Sequence, residues 1–417
     1  MRPVWIKNAA QLVTIAGENG PRRQEQMSEL SIIQDGSVWM ENGEILAIGT
    51  TSELEVLYGK RAHEADVVDA SGRLVTPGLV DPHTHVAYGG SREKEFEMRL
   101  EGSTYMEIMN AGGGIHATTR MTREATEDEL VAQTTRRLDS FLAHGVTTVE
   151  GKSGYGLDLE TELKQLRAMK RLNETHPIDL VPTFMGGHAV PQEYKGSEEQ
   201  YIDLLVNDML PKVAEEGLAV FNDVFCEVGV FTPEQSERIL EAGKKLGLIP
   251  KIHADEIESY GGAELAAKVG AISAEHLLKA SDEGVRLMAE AGVIACLLPA
   301  TALYLREEAA KGRAMIDAGV AVAISTDCNP GSSPTTSMPL VMNLACISMR
   351  LTPAEALVAA TMNAACAIGM EEKVGSLEVG KQADVVMWKV SNYQELQYLF
   401  GVNHVGSVWK KGVQVVG

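Results

Sequence analysis

The chain is 417 residues long, carries a formal net charge of −21 and contains 45% hydrophobic residues. This acidity argues against a nucleic-acid-binding protein, which usually presents a basic face, and no apolar run reaches the roughly 18 residues that a membrane span needs. The first residues lack the apolar core of a secretory signal, and five cysteines without a C-x-x-C spacing indicate a reduced, cytoplasmic protein.

Both ends of the chain have the pattern of short strands joined by tight turns. The segment SVWMENGEILAIG places Glu41-Asn42-Gly43 between two strand patterns, which is a strong hairpin signal. The segments GSLEVGKQADVVMWKV and GSVWKKGVQVV near the other end have the same character. The four tryptophans all lie in these end regions, at positions 5, 39, 388 and 409. We therefore predict a small composite β-sandwich domain built from residues 1–76 and 373–417.

The middle of the chain alternates apolar strand-like runs with helical patterns. Helix signals include a leucine stripe in 159–174 and two Thr-Pro capping boxes that begin at Thr232 and Thr352. The strand-like runs are residues 74–80, 145–150, 178–185, 218–228, 248–253, 271–275, 292–298 and 319–325. Eight strands alternating with helices predict a TIM-like (β/α)8 barrel across residues 77–372, an α/β fold. A doubly wound open sheet is the alternative, but it requires a nucleotide fingerprint, and no G-x-G-x-x-G follows a strand.

In such a barrel, the side chains at the carboxyl ends of the strands meet at one mouth. His83 and His85 follow the first strand run and share one of its faces, because strand side chains alternate. The other candidates at strand ends are His188, His253, Glu256, His276 and Asp327. Three imidazoles and a carboxylate suit zinc or a first-row relative such as iron. The sequence therefore predicts a metal site at the mouth.

The same cluster predicts hydrolytic chemistry, with Glu256, His276 and Asp327 as catalytic residues. A bound metal lowers the pKa of a water and polarises a carbonyl. Glu256, three residues after His253, can carry a proton between that water and a leaving nitrogen, and His276 can orient the water or stabilise an oxyanion. Each of these residues alone has an ordinary structural explanation. Their joint position at strand ends favours the metal site.

The motifs TPGLVDPHTH and GSLEVGKQADVV resemble the N- and C-terminal signatures of the amidohydrolase superfamily. The blocks DPHTHVAYGGSRE, AGGGI, KSGYGL, TFMGGHAVP, KIHADE and STDCNPGSSPT are similar to one branch of that superfamily, which acts in histidine degradation. The resemblance runs nearly end to end. It implies hydrolysis of the ring amide C–N bond of 4-imidazolone-5-propanoate to give N-formimidoyl-L-glutamate.

The resemblance also implies which residues form the site. It implies one Zn²⁺ or Fe³⁺ ion per subunit, held by His83, His85, His253 and Asp327. It implies substrate contacts from Arg92, Tyr155, His188, Glu256, Asn329, Gly331 and Ser332. Relatives are often dimers, so a homodimer is implied by analogy. The expected partner is a small-molecule substrate, with neither nucleic acid nor membrane.

The surroundings of the substrate contacts add further expectations. Arg92 follows the first strand, and a guanidinium can bind the propionate through two hydrogen bonds, although the surrounding SREKE also fits a solvated arginine. Tyr155 and His188 are expected to donate hydrogen bonds. The NPGSS turn is expected to offer the Asn329 amide and backbone N–H groups. The AGGGIH segment, residues 111–116, lacks the Gly-Lys-Ser/Thr ending of a phosphate loop and is interpreted as a mobile loop over the mouth.

The lysines of the barrel strands bear on the number of metal ions. Dinuclear members of the superfamily bridge two metals with a modified lysine at the end of strand four, and FNDVFCEVGVF contains no lysine. The lysines of the predicted strands are Lys152 and Lys251, on strands two and five. One metal is therefore expected, and Glu227 is interpreted as structural.

Two other functions stay open at this point. A cytosine- or guanine-type deaminase of the same superfamily would use the same ligands and the same H-x-x-E motif, but it would release ammonia. A non-catalytic scaffold on the same fold would lack metal ligands, whereas all four candidates are present here.

Overall fold

A computed structural model describes residues 2–103, 107 and 112–417. In these ranges the strands form two eight-stranded sheets. The first, the terminal sheet, contains β1 (Val4–Val13), β2 (Ile32–Glu41), β3 (Glu44–Thr50), β4 (Asp66–Asp69), β5 (Leu74–Pro77), β14 (Val385–Trp388), β15 (Val405–Lys410) and β16 (Val413–Val416). The second, the barrel sheet, contains β6 (Leu79–Thr84), β7 (Val146–Lys152), β8 (Asp179–Gly187), β9 (Phe221–Cys226), β10 (Ile249–Ala254), β11 (Ser273–His276), β12 (Ile294–Leu297) and β13 (Val322–Ile324).

Most of the helices lie between the barrel strands. The α-helices of the described residues are α1 (Thr51–Tyr58), α2 (Glu93–Leu100), α3 (Ile115–Glu124), α4 (Glu127–Ala143), α5 (Leu159–Thr175), α6 (Glu198–Leu204), α7 (Leu210–Glu216), α8 (Pro233–Lys245), α9 (Gly262–Val269), α10 (Asp282–Ala291), α11 (Pro299–Leu305), α12 (Gly312–Asp317), α13 (Met338–Met349), α14 (Pro353–Ala359), α15 (Met362–Cys366) and α16 (Tyr393–Tyr398). Among them, none combines the length and the apolar character that a membrane-spanning segment needs.

The terminal sheet joins the two ends of the chain, as predicted. Its strand order is β16-β15-β14-β5-β1-β2-β3, with β4 paired to β1, so strands from both termini share one hydrogen-bonded sheet. The predicted hairpin joins β2 to β3. Asn42 (φ 56°) and Gly43 (φ 88°) supply the left-handed turn that such a short connection requires. The buried rings of Trp5 and Trp39 pack 5.5 Å apart.

The eight predicted strand runs of the middle each overlap a barrel strand, and β6 to β13 lie side by side in chain order. The prediction for the first run, 74–80, was wrong in one respect, because it contains two strands from different sheets. Residues 74–77 form β5, which pairs with β1 and β14, and the barrel strand β6 begins at Leu79. Gly78 lies between them, where an added Cβ would overlap the Thr147 side chain.

The first and last barrel strands are joined through the side chain of Asp81 in β6. The Ser325 hydroxyl donates to Asp81 Oδ1, and the Thr326 hydroxyl donates to Asp81 Oδ2 at 2.6 Å. The backbone N–H of His85 donates to the carbonyl of Cys328 at 3.0 Å. These contacts fix the segment before Asp327 against the segment that carries the two histidines.

The predicted helix signals agree with the structure. The leucine stripe of 159–174 lies in α5, which buries Leu163, Leu166 and Met169. Both Thr-Pro capping boxes form, at Thr232 before α8 and at Thr352 before α14. The AGGGIH segment falls partly outside the described residues, since Ala111 is not among them. Residues 112–114 lead directly into α3, and the predicted mobility of the segment stays a prediction.

A cluster of charged side chains, in which Lys410 and Asp384 are buried, attaches the terminal sheet to the start of β8. Lys410 Nζ, in β15, lies 2.7 Å from Asp179 Oδ2 and 2.5 Å from Asp384 Oδ2. Lys411 Nζ lies 2.7 Å from Asp179 Oδ1. Asp179 begins its strand, so this cluster lies at the amino end of the barrel and the residues at the strands' carboxyl ends lie at the other.

Candidate active site

One cavity of about 520 Å³ lies at the carboxyl ends of the barrel strands. Eleven of the twelve residues proposed from the sequence line it. These are His85, Arg92, Tyr155, His188, His253, Glu256, His276, Asp327, Asn329, Gly331 and Ser332. The twelfth, His83, is fully buried, and its Nε2 lies 3.4 Å from Asp327 Oδ1. The structure thus brings the predicted residues together, while their roles stay predictions.

The candidate metal ligands converge around His83. The ligand atoms of His83, His85 and His253 lie within 4.8 Å of one another, and so do those of His83, His276 and Asp327. His85 Nε2 lies 3.4 Å from His253 Nε2 and 3.7 Å from Asp327 Oδ1. Five possible ligands, from β6 and the residue after it, β10, β11 and the loop after β13, therefore lie around one small volume.

The unpaired atoms in this volume fit a cation. Within the described residues, both ring nitrogens of His83, Nδ1 of His85 and Oδ1 of Asp327 are buried without a hydrogen-bond partner. Burial lowers the pKa of His83 and His85 well below the ordinary value, so these rings are neutral and offer lone pairs. Each neutral ring keeps one protonated nitrogen and offers one lone pair, and a shared positive ion relieves the cost of burying these lone pairs and Oδ1 of Asp327 without a partner. An imidazole and carboxylate donor set of this kind suits zinc or iron.

A buried network behind His253 fixes its orientation. His253 Nδ1 donates to Asp223 Oδ1 at 3.1 Å, so its Nε2 carries the lone pair that faces His85. Lys152 Nζ lies 2.8 Å from Asp223 Oδ2 and 2.7 Å from Glu150 Oε1. Burial opposes the charge on Asp223, but His253 and Lys152 lower its pKa below the ordinary value, so Asp223 is a carboxylate. This is the second layer that usually orients a metal-binding histidine.

Two deeper clusters of possible metal ligands in the barrel have carboxylates whose negative charge is already balanced by a lysine. Both clusters include Glu275, one with His83 and Cys296 and the other with Asp223 and His253. Lys251 Nζ lies 3.2 Å from Glu275 Oε1, and Lys152 binds Asp223 as described above. A lysine ammonium supplies the positive charge that a second ion would otherwise bring, so the cluster at the mouth is the better candidate.

Glu256 and His276 lie beside the metal candidates. Glu256 Oε1 is 3.5 Å from His276 Nδ1. Burial, followed by the negative charge of Asp327, raises the pKa of Glu256 to about 8. A carboxyl group with a pKa near neutrality can both take up and release a proton at working pH. Glu227 accepts hydrogen bonds from the Glu256 and Ile257 N–H groups at 3.0 and 2.8 Å, and so positions the segment that carries Glu256.

The ring of His188 is an acceptor toward the cavity, which differs from the expectation of a donor. His188 Nδ1 lies 3.0 Å from the carbonyl oxygen of Gly154, so Nδ1 must carry the proton. Burial lowers the pKa of His188 to about 3, and the neutral ring therefore has a lone pair on Nε2. The ring stacks on His85 at 4.7 Å. Tyr155 is buried nearby, and its burial raises its pKa well above the ordinary value, so its hydroxyl stays protonated.

The NPGSS turn is held together by the Asn329 side chain. Asn329 Oδ1 accepts hydrogen bonds from the backbone N–H groups of Gly331 and Ser332, both at 2.8 Å. Asn329 Nδ2 donates to the carbonyl of Asp327 at 2.7 Å. The amides that the sequence suggested for substrate atoms are thus already engaged within the turn. Thr301, which the sequence did not suggest, donates to Asp327 Oδ2 at 2.7 Å and orients that carboxylate.

Arg92 is not a solvated arginine, because its side chain is only 14% exposed. Its Nε donates to Glu95 Oε2 at 2.9 Å, and its Nη2 donates to Glu95 Oε1. Glu95 and Arg99 both line the same cavity, and sequence reasoning missed both. The available signal was the spacing, since residues three and four apart share one face of a helix that begins directly after Arg92.

The chain is similar to a family of known proteins, to curated relatives and to solved structures. The model of the amidohydrolase family matches residues 74–415. A curated relative from Brevibacillus brevis, named imidazolonepropionase, is 64% identical over 100% of this chain and 98% of its own length. Another of the same name, from a Geobacillus species, is 63% identical over the same shares. A solved adenosine deaminase from Xanthomonas campestris with bound zinc has a TM-score of 0.73 at 20% identity, covers 99% of this chain and 92% of its own, and shows a shared fold.

Proposed function

This chain belongs to the amidohydrolase family, and from that premise we propose that it catalyses the imidazolonepropionase reaction. It hydrolyses the ring amide C–N bond of 4-imidazolone-5-propanoate and yields N-formimidoyl-L-glutamate. The observation that carries the proposal is that one cavity contains both the cluster of possible metal ligands and the guanidinium of Arg92. The names of the full-length relatives support the choice of substrate.

One Zn²⁺ or Fe³⁺ ion per subunit is proposed to be held by His83, His85, His253 and Asp327. When bound, such an ion lowers the pKa of a water and polarises the ring carbonyl. Asp223 and Thr301 keep two of these ligands in orientation, through His253 Nδ1 and Asp327 Oδ2. The four residues are at most 3% exposed, so their side chains would hold the ion at the inner wall of the cavity and not at the protein surface.

Glu256 is proposed to move the proton. Hydrolysis requires that one proton leaves the attacking water and that one reaches the nitrogen of the broken C–N bond. Glu256 faces the cavity and has a raised pKa of about 8, which suits a carboxyl group that first accepts and then donates a proton. His276, 3.5 Å away and neutral because burial lowers its pKa, can hold the water or the developing oxyanion by hydrogen bonding.

The remaining residues of the cavity would orient the substrate. Arg92 is proposed to bind the propionate tail, and the Tyr155 hydroxyl to donate to an oxygen of the substrate. His188 is proposed to accept a hydrogen bond from a ring N–H through Nε2, since its Nδ1 proton is already bound by Gly154. A homodimer and a cytoplasmic location, in the context of histidine degradation, are part of the same proposal.

The reaction products test the proposal directly. Purified protein, supplied with Zn²⁺ or Fe²⁺/Fe³⁺ in separate preparations, is incubated with freshly prepared 4-imidazolone-5-propanoate. The expected result is metal-dependent loss of substrate absorbance, formation of N-formimidoyl-L-glutamate by mass spectrometry and no ammonia. Release of ammonia from cytosine or guanine, with no action on the imidazolone, would instead support the deaminase. Absence of tightly bound metal and of any activity would support a scaffold.

A further inference from the structure

We propose that Arg99 is a second anion-binding residue of the cavity, and that Arg92, Glu95 and Arg99 act as one unit, the carboxylate-binding cluster. This cluster selects substrates that carry one carboxylate in their tail. The inference rests on the proposed function only for the identity of that tail. The role of Arg99 and the charge balance of the cluster follow from the contacts described next.

Glu95 holds Arg92 by one edge of its guanidinium. Both hydrogen bonds to Glu95 use the Nε and Nη2 atoms of Arg92. Among the described residues Nη1 has no hydrogen-bond partner, so its two N–H groups and the second N–H of Nη2 remain for a ligand. Glu95 Oε2 also accepts the backbone N–H of Gly114 at 2.8 Å. The Glu95 side chain is 10% exposed, so this is a largely buried arrangement with one defined geometry and not a solvated surface pair.

Arg99 approaches the same point from the next turn of α2. Its Nη2 lies 3.8 Å from Glu95 Oε1 and donates to the carbonyl of Gly331 at 3.3 Å. Its guanidinium carbon lies over the Tyr304 ring, 5.3 Å from the ring centroid, in a cation–π contact. Arg99 lines the cavity and is 32% exposed, so it is accessible to a ligand there.

Gly331 is the place where both arginines meet the NPGSS turn. An added Cβ at Gly331 would overlap Nη1 of Arg92 and would lie 3.0 Å from its Cζ. The carbonyl of the same residue accepts the hydrogen bond from Arg99. The absence of a side chain at 331 therefore lets both guanidinium groups reach one region of the cavity wall.

The charges of the cluster match a single carboxylate. Burial opposes ionisation of Glu95, but the hydrogen bonds from Arg92 and Gly114 outweigh it, and the pKa of Glu95 lies below the ordinary value. Two guanidinium groups and one carboxylate leave a net charge of +1. One ligand carboxylate neutralises that charge, a neutral tail leaves it unmatched, and a second carboxylate would lie beside Glu95 without a counter-charge.

Direct binding of inert analogues tests the role of Arg99. Imidazole-4-propanoate and its uncharged amide are titrated by calorimetry into the metal-loaded wild-type protein and the Arg99→Ala variant. The wild type should prefer the carboxylate. Arg99→Ala should lose about tenfold of that preference, because one charge-assisted contact is removed. Lys94→Ala, which removes an exposed positive charge from the same helix, should keep the wild-type preference.

The two outcomes are distinct. An unchanged preference in Arg99→Ala, or an equal loss of affinity for both ligands, would overturn the role of Arg99. Arg99→Met keeps the packing against Tyr304, and it should show the same loss of preference if Arg99→Ala does not fold. The ratio of the two affinities is the decisive quantity, because a merely structural disturbance would weaken the carboxylate and the amide alike.

A second measurement tests the charge balance that Glu95 provides. (Imidazol-4-yl)methylmalonate carries one carboxylate more than the propanoate on the same carbon frame. The wild type should bind this dianion more weakly than the monoanion. In Glu95→Gln the ratio of the two dissociation constants should shift by about tenfold in favour of the dianion. Glu97→Gln, an exposed change on the same helix, should leave the difference as it is. No shift in Glu95→Gln would refute the charge balance.

These binding experiments are independent of the proposed reaction. If the protein fails to hydrolyse imidazolonepropionate but Arg99→Ala still loses the preference for the carboxylate, the cluster stands and the proposed function falls. If hydrolysis occurs and the preference does not depend on Arg99, the proposed function stands and the cluster falls.

Discussion

Glu256 combines a largely buried carboxyl group with a position on the cavity wall. We expect Glu256→Gln to keep metal and ligand affinity, because the amide has nearly the same shape and Glu227 still binds the backbone of the segment. Turnover should fall by about 10²- to 10⁴-fold, since the amide cannot exchange a proton. Steady-state kinetics, elemental analysis and calorimetry with imidazole-4-propanoate measure the three quantities.

Glu258→Gln is the matched control for this change, because Glu258 is exposed two residues further along the chain. It should retain the wild-type kcat. A wild-type kcat in Glu256→Gln would remove Glu256 from the proton transfer. Loss of metal from that variant would instead indicate that Glu256 supports the ligand cluster.

Asp223 connects the buried Lys152 to His253, one of the proposed metal ligands. In Asp223→Asn the carboxylate that binds both His253 and Lys152 is lost, and of the two carboxylates that bind the buried Lys152, Glu150 remains. His253 should then be oriented less strictly, and metal affinity should fall by about 10- to 100-fold. Competition with a chelator of known affinity measures this change without reference to activity.

Asp208→Asn, which alters an exposed carboxylate, is the control and should keep the wild-type metal affinity. If Asp223→Asn competes for metal as well as the wild type does, the network from Lys152 to His253 has no role in holding the ion. A loss of folding in that variant, seen by circular dichroism of the metal-free protein, would mark the network as a requirement of the barrel instead.

The sequence allowed prediction of those cavity residues that lie in short, recognisable motifs. His83-Thr-His85 and the His253-to-Glu256 spacing mark strand ends by themselves. Asp223 carries no such mark, because its importance arises from the pairing of β9 with β10, which brings it to His253. Glu95 resembles its solvated neighbours in SREKE, and only its own side chain, which is 10% exposed and lines the cavity, distinguishes it.

At the scale of elements, local signals fixed the helices better than they fixed the first barrel strand. The box that begins at Thr232 lies within four residues of sequence, so both the helix start and its cap could be predicted. The run 74–80 is continuous in hydrophobicity, because both of its strands are buried. Only the partners of β5 and β6, which are distant in sequence, separate them into two sheets.

Gly78 is the point at which the chain passes from the terminal sheet to the barrel sheet. Gly78→Ala would place a methyl group against the buried Thr147 side chain, so β6 or β7 must shift. We expect a loss of about 1–3 kcal/mol in the free energy of unfolding, as for other overpacked sites. Urea denaturation measures this change.

The matched control is Gly59→Ala, where an added Cβ would meet open space, and it should cost little. Thr147→Ala in the Gly78→Ala background should recover part of the stability, because it removes the two closest atoms of the threonine side chain. Equal stability of Gly78→Ala and wild type would mean that the strand junction tolerates a side chain.

At the scale of the whole molecule, the two ends of the barrel have different tasks. The carboxyl ends of the strands carry the cavity, whereas at the other end Asp179 is bound by Lys410 and Lys411 of the terminal sheet. The barrel strands thus carry the possible ligands at their carboxyl ends, while the terminal sheet holds the amino end of β8. A disturbance at the far end should therefore change stability before it changes the site.

Asp179→Asn tests this separation. Burial opposes ionisation of Asp179, but Lys410 outweighs it, and the pKa of Asp179 lies below the ordinary value. A lowered folded-state pKa gives stability that is present above the unfolded value of about 4 and is lost as the pH falls through the folded value. Asp179→Asn should thus cost about 1–3 kcal/mol at pH 7, and the difference in stability from wild type should shrink as the pH falls below the ordinary aspartate pKa of about 4.

Urea denaturation across this pH range, together with the metal content and KM of the folded variant at neutral pH, decides the matter. Constant metal content and KM with a pH-dependent loss of stability is the expected pattern. A loss of equal size at every pH would mean that the shape of Asp179, and not its charge, holds the terminal sheet to β8. A changed KM or metal content would mean that the far end of the barrel transmits its disturbance along the strands, since Asp179 itself lies at the opposite end from the cavity.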